Sequence, residues 1–283
     1  MLNRPINDED TRLPIVGLIA TIPTRDTLLR VAVPSVASQA RQLDALVIVN
    51  DNATLPASEV QALGNLMRCI PVHLLSNTRA PGAANTWNTG IKHIASYWPD
   101  AYVAILDDDD QWDHDHLKIC EDSARTAGWP DAVISGLRLR IDGADVPRDP
   151  PLSLCVEDFL TGNPGWQGSN TFVRLNTLIE VGLFTEGLAS CNDRDLAIRI
   201  LSLKGARIAF TGRHTASWNL DTCRSSLSSH RGEAKRMGLA KFFALHNHRM
   251  NETVRRHFFQ RAEKLFGWSS EEILACAGTT TNA

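Results

Sequence analysis

The sequence predicts an α/β fold, with a mostly parallel sheet flanked by helices and a helical C-terminal extension. In the first half of the chain, short apolar runs alternate with helical patterns, and most of these runs end in a polar turn. This alternation is typical of βαβ units, whose strands are buried on both faces. We expect an N-terminal tail at 1–12, a main domain at 13–230 and the helical extension at 231–283.

The composition predicts a folded, globular and water-soluble protein. The chain has 283 residues, 43% of them hydrophobic, and 29 Lys+Arg against 32 Asp+Glu give a net charge of −3. This balance argues against disorder and gives no bulk attraction to nucleic acid. No apolar run approaches the roughly 18–20 residues of a membrane span, and residues 1–11 lack the apolar region of a secretory signal. The six scattered cysteines indicate ordinary thiols. We therefore expect a cytoplasmic protein, with peripheral attachment to a membrane left open.

The elements of the first half follow from the period of their apolar residues. The first strand is expected at Ile15–Thr21, which follows Pro14 and ends in the turn at 22–26. The next elements are expected in the order helix 28–39, strand 46–49, helix 58–67, strand 72–75, helix Ala83–Tyr97 and strand 102–106.

The second half is less regular. We expect a strand at Ala132–Ile141, loops at 143–151 and 162–170, a helix at 193–203 and a strand at 207–211. Residues 230–264 are helical in pattern and basic, with nine Lys or Arg against three Glu. The sequence Ser-Ser-Glu-Glu at 269–272 has the form of a capping box that opens a last helix.

Polar side chains follow three of the predicted strands, at 21–26, 50–54 and 107–110. In an open parallel sheet, ligands bind beyond the carboxyl ends of the strands. Six of the residues between 107 and 115 are Asp. A solvated acidic surface is the alternative interpretation, but the first four of these aspartates, at 107–110, directly follow an apolar strand and precede Trp112.

So many carboxylates repel one another unless a cation neutralises them. Hard oxygen ligands of this kind suit Mg²⁺ or Mn²⁺ carrying a diphosphate. In an extended segment, Asp107 and Asp109 would point the same way and could face one ion. The run therefore predicts a metal site.

Six short segments share their order and spacing with one enzyme family. They are Ile-Pro-Thr-Arg-Asp at 22–26, the segments 47–54 and 85–91, Leu-Asp-Asp-Asp-Asp-Gln-Trp at 106–112, Gly-Leu-Phe-Thr-Glu at 182–186, and 192–199. Together they resemble the motifs of family 2 glycosyltransferases, which have the Rossmann-like GT-A fold. The segment 106–112 is very similar to the family's DxD motif, and the resemblance covers roughly residues 13–230.

The resemblance implies a metal-dependent, inverting glycosyltransferase that moves a sugar from a nucleotide diphosphate sugar, expected to be a UDP-sugar, to an acceptor hydroxyl. Asp193 matches the position of the general base. Asp109 and Asp107 match metal-binding positions, and Asp221 falls where the family often has a metal-binding His, with His214 and His230 as alternatives. The substrate-binding residues that we infer are Pro23, Thr24, Arg25, Asp51, Asn85, Asn88, Asp107, Asp108, Trp166 and Asp195.

Several of these interpretations have alternatives. Trp166 could line the acceptor pocket or be an ordinary core residue, and Asn85 and Asn88 could have capping or surface roles. Asn192 stands where the family usually has Glu, which keeps a non-catalytic nucleotide-sugar-binding protein open. The basic helical stretch could meet an anionic membrane or acceptor, or could be a solvated face around packed phenylalanines.

Two other enzyme classes fit less well. A nucleotidyltransferase on a similar sheet is expected to have a Gly-rich, basic loop after the first strand, whereas residues 22–27 contain no glycine. A Rossmann dehydrogenase is disfavoured because no GxGxxG follows that strand. The sequence leaves the acceptor unidentified.

Overall fold

The structure, a computed structural model, describes residues 12–23, 25–220 and 230–280. This part of the chain forms one nine-stranded sheet. Its strands are β1 (Ile15–Thr21), β2 (Ala45–Asp51), β3 (Val72–Asn77), β4 (Tyr102–Asp107), β5 (Gln111–Trp112), β6 (Ala132–Ile141), β7 (Ala144–Val146), β8 (Thr171–Arg174) and β9 (Ile208–Leu220). The lateral order is β3-β2-β1-β4-β8-β6-β9-β5, and β7 pairs with β6.

Strands β3, β2, β1 and β4 form a parallel block. In it, Leu18 of β1 lies opposite Val47 of β2 and Ile105 of β4. These side chains are fully buried because helices cover both faces of the sheet, which explains why the strands read as continuous apolar runs. The carboxyl ends of β1, β2 and β4 consequently meet at one edge.

The rest of the sheet is mixed. Strand β8 runs antiparallel to both β4 and β6, whereas β6 and β9 are parallel. The register of β6 against β9 breaks at Gly136. A Cβ atom there would lie 3.0 Å from the carbonyl oxygen of Arg213, so a glycine allows the close approach. Beyond the break, β9 brings Asn219 to the aspartate run.

A π-helical turn at Leu28–Ala32 leads into the first α-helix. The α-helices are α1 (Val33–Ala37), α2 (Ala57–Leu66), α3 (Ala83–Tyr97), α4 (His116–Thr126), α5 (Val156–Thr161), α6 (Leu175–Glu180), α7 (Asn192–Leu201), α8 (Glu233–His246), α9 (Glu252–Phe266) and α10 (Ser270–Thr280). Helix α10 begins with the predicted capping box, in which the Ser269 amide donates to Glu272 Oε2 at 2.9 Å and the Glu272 amide donates to Ser269 Oγ at 3.3 Å.

The core consists of two clusters. One contains residues of β2, α3 and α7, including Val47, Ile91 and Leu196, and the other contains residues of α2 and α4. Helices α8 and α9 contribute Phe242 and Phe258 to the first cluster. The C-terminal helices therefore share a core with the sheet.

The predicted α/β class is confirmed, with antiparallel strands added to the parallel block. The expectation of a loop throughout 143–151 is wrong, because Ala144–Val146 pairs with β6 as β7. None of the helices in the described ranges combines the length and apolar character needed to cross a bilayer. The division of the chain at 13–230 and 231–283 stays a prediction.

Candidate active site

The polar ends of three neighbouring strands meet at the carboxyl edge of the parallel block. Thr21 at the end of β1 lies opposite Asn50 of β2, and Ala20 lies opposite Asp107 of β4. Asn50 is buried, and its amide has no hydrogen-bond partner in the described part of the chain. An unsatisfied buried amide at a ligand-binding edge can be satisfied by a ligand.

Arg25 neutralises part of the aspartate run. Its Nη1 donates to Asp108 Oδ1 at 3.0 Å and to Asp109 Oδ2 at 2.7 Å, and Thr21 Oγ1 donates to Asp108 Oδ2 at 2.6 Å. Burial raises the pKa of Asp108, although the Thr21 hydrogen bond and the Arg25 charge oppose this effect. The predicted substrate-binding residues Arg25 and Asp108 thus lie in direct contact.

Asp110 anchors the run to the rest of the sheet. It accepts hydrogen bonds from Ser169 Oγ at 2.5 Å and from the Asn219 amide at 2.8 Å. Burial, together with the charge of Asp109, raises the pKa of Asp110 well above its usual value. Ser169 also accepts a 2.7 Å bond from Trp112 Nε1 through its carbonyl oxygen. Asp110 therefore has a structural role in fixing the run.

Asp107 lies among other carboxylates and against the backbone of a loop. A Cβ atom at Gly168 would lie 2.8 Å from Asp107 Oδ1, so the loop backbone closes one side of this carboxylate. Burial raises the pKa of Asp107 well above its usual value, and the charges of Asp110 and Asp193 raise it further. Asp193 therefore lies close enough to Asp107 for their charges to interact.

Asp193 lies in the first turn of α7, after Cys191, whose φ of 70° turns the chain into the helix. The side chain is half-buried, and burial raises its pKa to about 7 while the charge of Lys235 opposes the rise. Within residues 12–23, 25–220 and 230–280, its carboxylate accepts no hydrogen bond. A carboxylate with these properties can take up a proton near neutral pH.

Asp195 has a different environment although it is two residues away. Its carboxylate accepts hydrogen bonds from Thr185 Oγ1 at 2.7 Å, Arg199 Nη2 at 2.8 Å and His246 Nε2 at 2.9 Å. Burial would raise the pKa of Asp195, but the hydrogen bond from His246 and the charge of Arg199 lower it overall. These contacts join α7 to α8.

The two predicted asparagines hold the backbone around α3. Asn88 donates to the Phe184 carbonyl oxygen and accepts from the Phe184 amide, both at 2.9 Å. Asn85 donates to the Ala80 carbonyl oxygen at 2.9 Å, and its buried Oδ1 has no partner among the described residues. Asp51 accepts from Asn77 at 2.7 Å and from the Gly82 amide at 2.8 Å. Asp51 therefore orders the loop that precedes α3.

The remaining predicted residues fall in three places. Trp166 belongs to the core, where its side chain is 1% exposed and its Nε1 donates to Thr171 Oγ1 at 2.9 Å. A ring so deeply buried has no face free for a sugar, which corrects the acceptor-pocket prediction in favour of the core alternative. Pro23 is exposed in the turn after β1. Thr24 and Asp221 lie outside the described residues.

Sequence reasoning missed Ser169, Asn219 and Lys235. Ser169 and Asn219 hold Asp110 from positions 59 and 109 residues away in the chain. Lys235 of α8 is 7% exposed, and its charge acts on Asp193. The sequence shows that residues 230–264 are basic, but nothing in it distinguishes the buried Lys235 from the exposed cations of that stretch.

The carboxylates of Asp107 and Asp109 fit a hard divalent cation that is completed by other oxygen ligands. Their donor chemistry is appropriate, and the Arg25 guanidinium pairs with Asp109 and with the neighbouring Asp108. In the described ranges, no three His, Cys, Asp or Glu side chains surround a common point suited to a metal ion. A complete site at these residues would need oxygen ligands from the donor or from other parts of the chain.

A helix-flanked sheet with carboxylates gathered at the ends of its parallel strands has the arrangement in which open α/β sheets bind their ligands. The chain belongs to glycosyl transferase family 2, whose model matches residues 22–170. The protein is therefore a glycosyltransferase, and the predicted family is confirmed. This membership argues against the nucleotidyltransferase alternative. No curated protein sequence matches the chain significantly.

Solved structures with similar folds include a 1–349 fragment of S. aureus TarS in complex with UDP-GlcNAc. It is 15% identical, with a TM-score of 0.63, over 92% of this chain and 74% of that one. A mannosyltransferase from Pyrobaculum calidifontis, in complex with GDP-Man and Mn²⁺, is 17% identical, with a TM-score of 0.57, over 96% and 77% of the two chains. At these identities the likeness establishes the shared fold.

Proposed function

We propose that this glycosyltransferase transfers a sugar from a nucleotide diphosphate sugar to an acceptor hydroxyl, with inversion at the anomeric carbon and with Asp193 as the general base. The observation that carries the proposal is the membership of glycosyl transferase family 2. Asp193 supports the assignment of the base, because burial raises its pKa to about 7 and its charge acts on Asp107 at the carboxyl edge of the sheet.

The residues on the donor side of the site are the strand ends of β1, β2 and β4. The unsatisfied amide of Asn50 offers a donor and an acceptor to a nucleoside. Asp107 and Asp109 would hold Mn²⁺ or Mg²⁺, which when bound neutralises the charge of the departing diphosphate. Arg25 pairs with Asp109 and with the neighbouring Asp108, and we expect it to contact a phosphate oxygen of the donor.

The reaction needs one base to take up the proton of the hydroxyl that receives the sugar. The acceptor oxygen attacks the anomeric carbon, its proton passes to Asp193, and the bond from that carbon to the diphosphate oxygen breaks. Attack on the face opposite the leaving group inverts the configuration. General-base assistance of this kind contributes typically about 10²–10⁴ in rate.

The complexes of similar folds support a nucleotide sugar as donor. TarS binds UDP-GlcNAc, and the Pyrobaculum enzyme binds GDP-Man and Mn²⁺. We expect a UDP-sugar for this chain and keep GDP-sugars in the test, because the two neighbours differ in their nucleotide.

The first experiment incubates the protein with UDP- and GDP-sugars, with and without Mn²⁺, and measures heats of binding and nucleoside diphosphate release. Metal-dependent binding of at least one nucleotide sugar is expected. Asp109→Ala should abolish this dependence, whereas Asp145→Ala, which removes an exposed aspartate of β7, should not. Absence of binding for the whole panel would reject the proposed function.

A further inference from the structure

The guanidinium of Arg25 lies between two carboxylates of the aspartate run. A single nitrogen, Nη1, donates to Asp109 Oδ2 at 2.7 Å and to Asp108 Oδ1 at 3.0 Å. The Arg25 side chain is 31% exposed, and the side chains of Asp109 and Asp108 are 35% and 7% exposed. Asp109 is therefore the partner that a cation can reach from solvent.

The two carboxylates differ in how firmly they are held. Asp108 also accepts a 2.6 Å hydrogen bond from Thr21 Oγ1, at the end of β1, so it stays anchored when Arg25 moves. Among the described residues, Arg25 is the only group that donates to the Asp109 carboxylate. Loss of the Arg25 contact would thus free the Asp109 carboxylate for another cation and leave Asp108 in place.

The backbone of Asp109 is fixed independently of Arg25. Asn219 Nδ2 donates to the Asp109 carbonyl oxygen at 3.0 Å, and the Asn219 amide donates to Asp110 Oδ1 at 2.8 Å. Ser169 Oγ donates to the other carboxylate oxygen of Asp110 at 2.5 Å. The exchange of one cation for another at Asp109 therefore needs only side-chain rotation, which is fast for groups that reach solvent.

Arg25 itself belongs to a turn rather than to a strand. Its amide donates to the Ile22 carbonyl oxygen at 3.4 Å, and the π-helical turn begins three residues later, at Leu28. The long side chain can swing from this turn without a change in the sheet. A phosphate group suits its guanidinium as well as a carboxylate does, because both accept two parallel hydrogen bonds from it.

A guanidinium and a divalent cation repel each other at one carboxylate. Both are attracted to Asp109, and at a separation of a few ångström their like charges interact strongly in a partly buried site. A diphosphate changes this balance, because its oxygens supply negative charge to both cations. Metal and arginine can then be accommodated together, with the arginine on the phosphate instead of on Asp109.

We propose that Arg25 competes with the divalent metal for Asp109 and thereby couples uptake of the metal to binding of the donor. Without donor, Arg25 is the counter-cation of Asp109. With donor, the diphosphate accepts the guanidinium and Asp109 is released to the metal, so each ligand strengthens the binding of the other by the same factor. The role of the donor rests on the proposed function, whereas the competition can be tested with the metal alone.

The test measures Mn²⁺ binding to the full-length protein without nucleotide, from the electron paramagnetic resonance signal of the free ion at constant ionic strength. Arg25→Gln should tighten Mn²⁺ binding about three- to tenfold, because the competing charge is lost. Arg25→Lys keeps the charge and should change the affinity less. The matched control is Arg138→Gln, since Arg138 is 29% exposed and pairs with Asp113 at 3.0 Å. This control should leave the affinity unchanged.

Three results would overturn the proposal. Unchanged or weaker Mn²⁺ binding by Arg25→Gln would show that Arg25 does not compete for the carboxylate. Equal tightening by Arg25→Gln and Arg138→Gln would show that diffuse positive charge explains the effect. Asp109→Ala, added to Arg25→Gln, should remove the gained affinity, and retention of that affinity would place the ion elsewhere.

A second measurement uses the unchanged protein and does not depend on the folding of Arg25→Gln. Titration with Mg²⁺ without nucleotide should shift the NMR signal of the Arg25 Nε–H group, because the guanidinium leaves Asp109. Arg25→Lys assigns this signal. An Arg25 signal that stays in place throughout the titration would also overturn the proposal.

Donor binding separates this inference from the proposed function. Arg25→Gln should weaken nucleotide-sugar binding, measured as heat in the presence of Mn²⁺, since the diphosphate loses a charged partner. If Mn²⁺ and Arg25 compete but no nucleotide sugar binds, the proposed function is rejected and the competition remains. If nucleotide sugars bind while Arg25→Gln leaves the Mn²⁺ affinity unchanged, the proposed function stands and this inference fails.

Discussion

Asp193 and Asp195 show how environment separates two carboxylates in one helical turn. Asp195 has three side-chain donors, and its pKa falls despite burial. Asp193 has no such partner in the described structure, and burial raises its pKa to about 7. The hydrogen bonds of Asp195 stabilise the packing of α7 against α8. The raised pKa of Asp193 suits a group that accepts a proton during catalysis.

Replacing Asp193 tests its role as the base. Asp193→Asn should lower kcat by about 10²–10⁴, because the amide cannot take up the proton of the acceptor hydroxyl. In the unchanged protein, activity should rise with pH through about 7 as Asp193 loses its proton. Steady-state rates between pH 5 and pH 9 check both expectations. Full turnover by Asp193→Asn would show that another group is the base.

The same substitution should change stability in a pH-dependent way. The pKa of Asp193 is about 7 in the folded state against a reference value of 3.8, so ionisation destabilises the fold as pH rises between these values. Asp193→Asn should therefore raise Tm at pH 8 and have little effect at pH 4. Asp195→Asn is the contrasting control and should lower Tm at pH 8, since it weakens the bonds to Arg199 and His246. A uniform effect of Asp193→Asn across this range would contradict the pKa assignment.

Whether a contact of the candidate site could be predicted depends on how far apart its residues lie in the sequence. The carboxylate run at 107–110 was identifiable because its residues are adjacent and follow an apolar strand. The partners of Asp110 were not, because Ser169 and Asn219 approach it only after β8 and β9 have joined the sheet. Burial of Trp166 likewise results from packing that no local pattern encodes.

At the scale of the element, several long strands and helices were predictable, whereas α4 and most of β9 were missed, as were the short elements. β1 and α3 have the predicted bounds, since the apolar run of β1 extends over 7 residues and the helical period of α3 over 15. α5 and α6 have six residues each, too few to show a period. β8 has four residues, and its pairing with β4 and β6 stabilises it.

Two helical glycines give a matched test of how tightly α8 packs. A Cβ atom at Gly238 would lie 2.1 Å from Ser190 Oγ and 2.6 Å from the Ser190 nitrogen, in the turn that precedes α7. Gly64, in α2, has nothing within 4 Å of its Cβ position. Gly238→Ala should therefore destabilise the protein by about 1–3 kcal/mol through overpacking, whereas Gly64→Ala should stabilise it by roughly 0.5–1 kcal/mol.

Urea denaturation measures both changes in the free energy of unfolding. Gly238→Ala should also lower kcat, because a shift of α8 moves the turn that positions Asp193. If both variants were stabilised equally, α8 would not pack closely against Ser190, and the proposed coupling between that helix and the base would be wrong.

At the scale of the whole molecule, the C-terminal helices belong to the same core as the catalytic sheet. Phe242 of α8 is fully buried, and its ring lies 4.1 Å from the guanidinium carbon of Arg194 in α7. Phe258 of α9 stacks on Phe242 with ring centroids 6.1 Å apart. These contacts imply that the helices unfold together with the sheet, although residues 231–283 were predicted to form an extension.

Removing the Phe242 ring tests this coupling. Phe242→Ala should lower the free energy of unfolding by about 3–5 kcal/mol, the usual cost of a large cavity in a core. Met237→Ala, in the same helix at a side chain that is 49% exposed, should change it by no more than about 0.5 kcal/mol. Tryptophan fluorescence and far-ultraviolet circular dichroism, followed in the same urea titration, should give coincident transitions for each variant, because a shared core unfolds as one cooperative unit. A separate early transition in Phe242→Ala, with the catalytic rate retained up to the second transition, would show instead that the extension folds independently of the site.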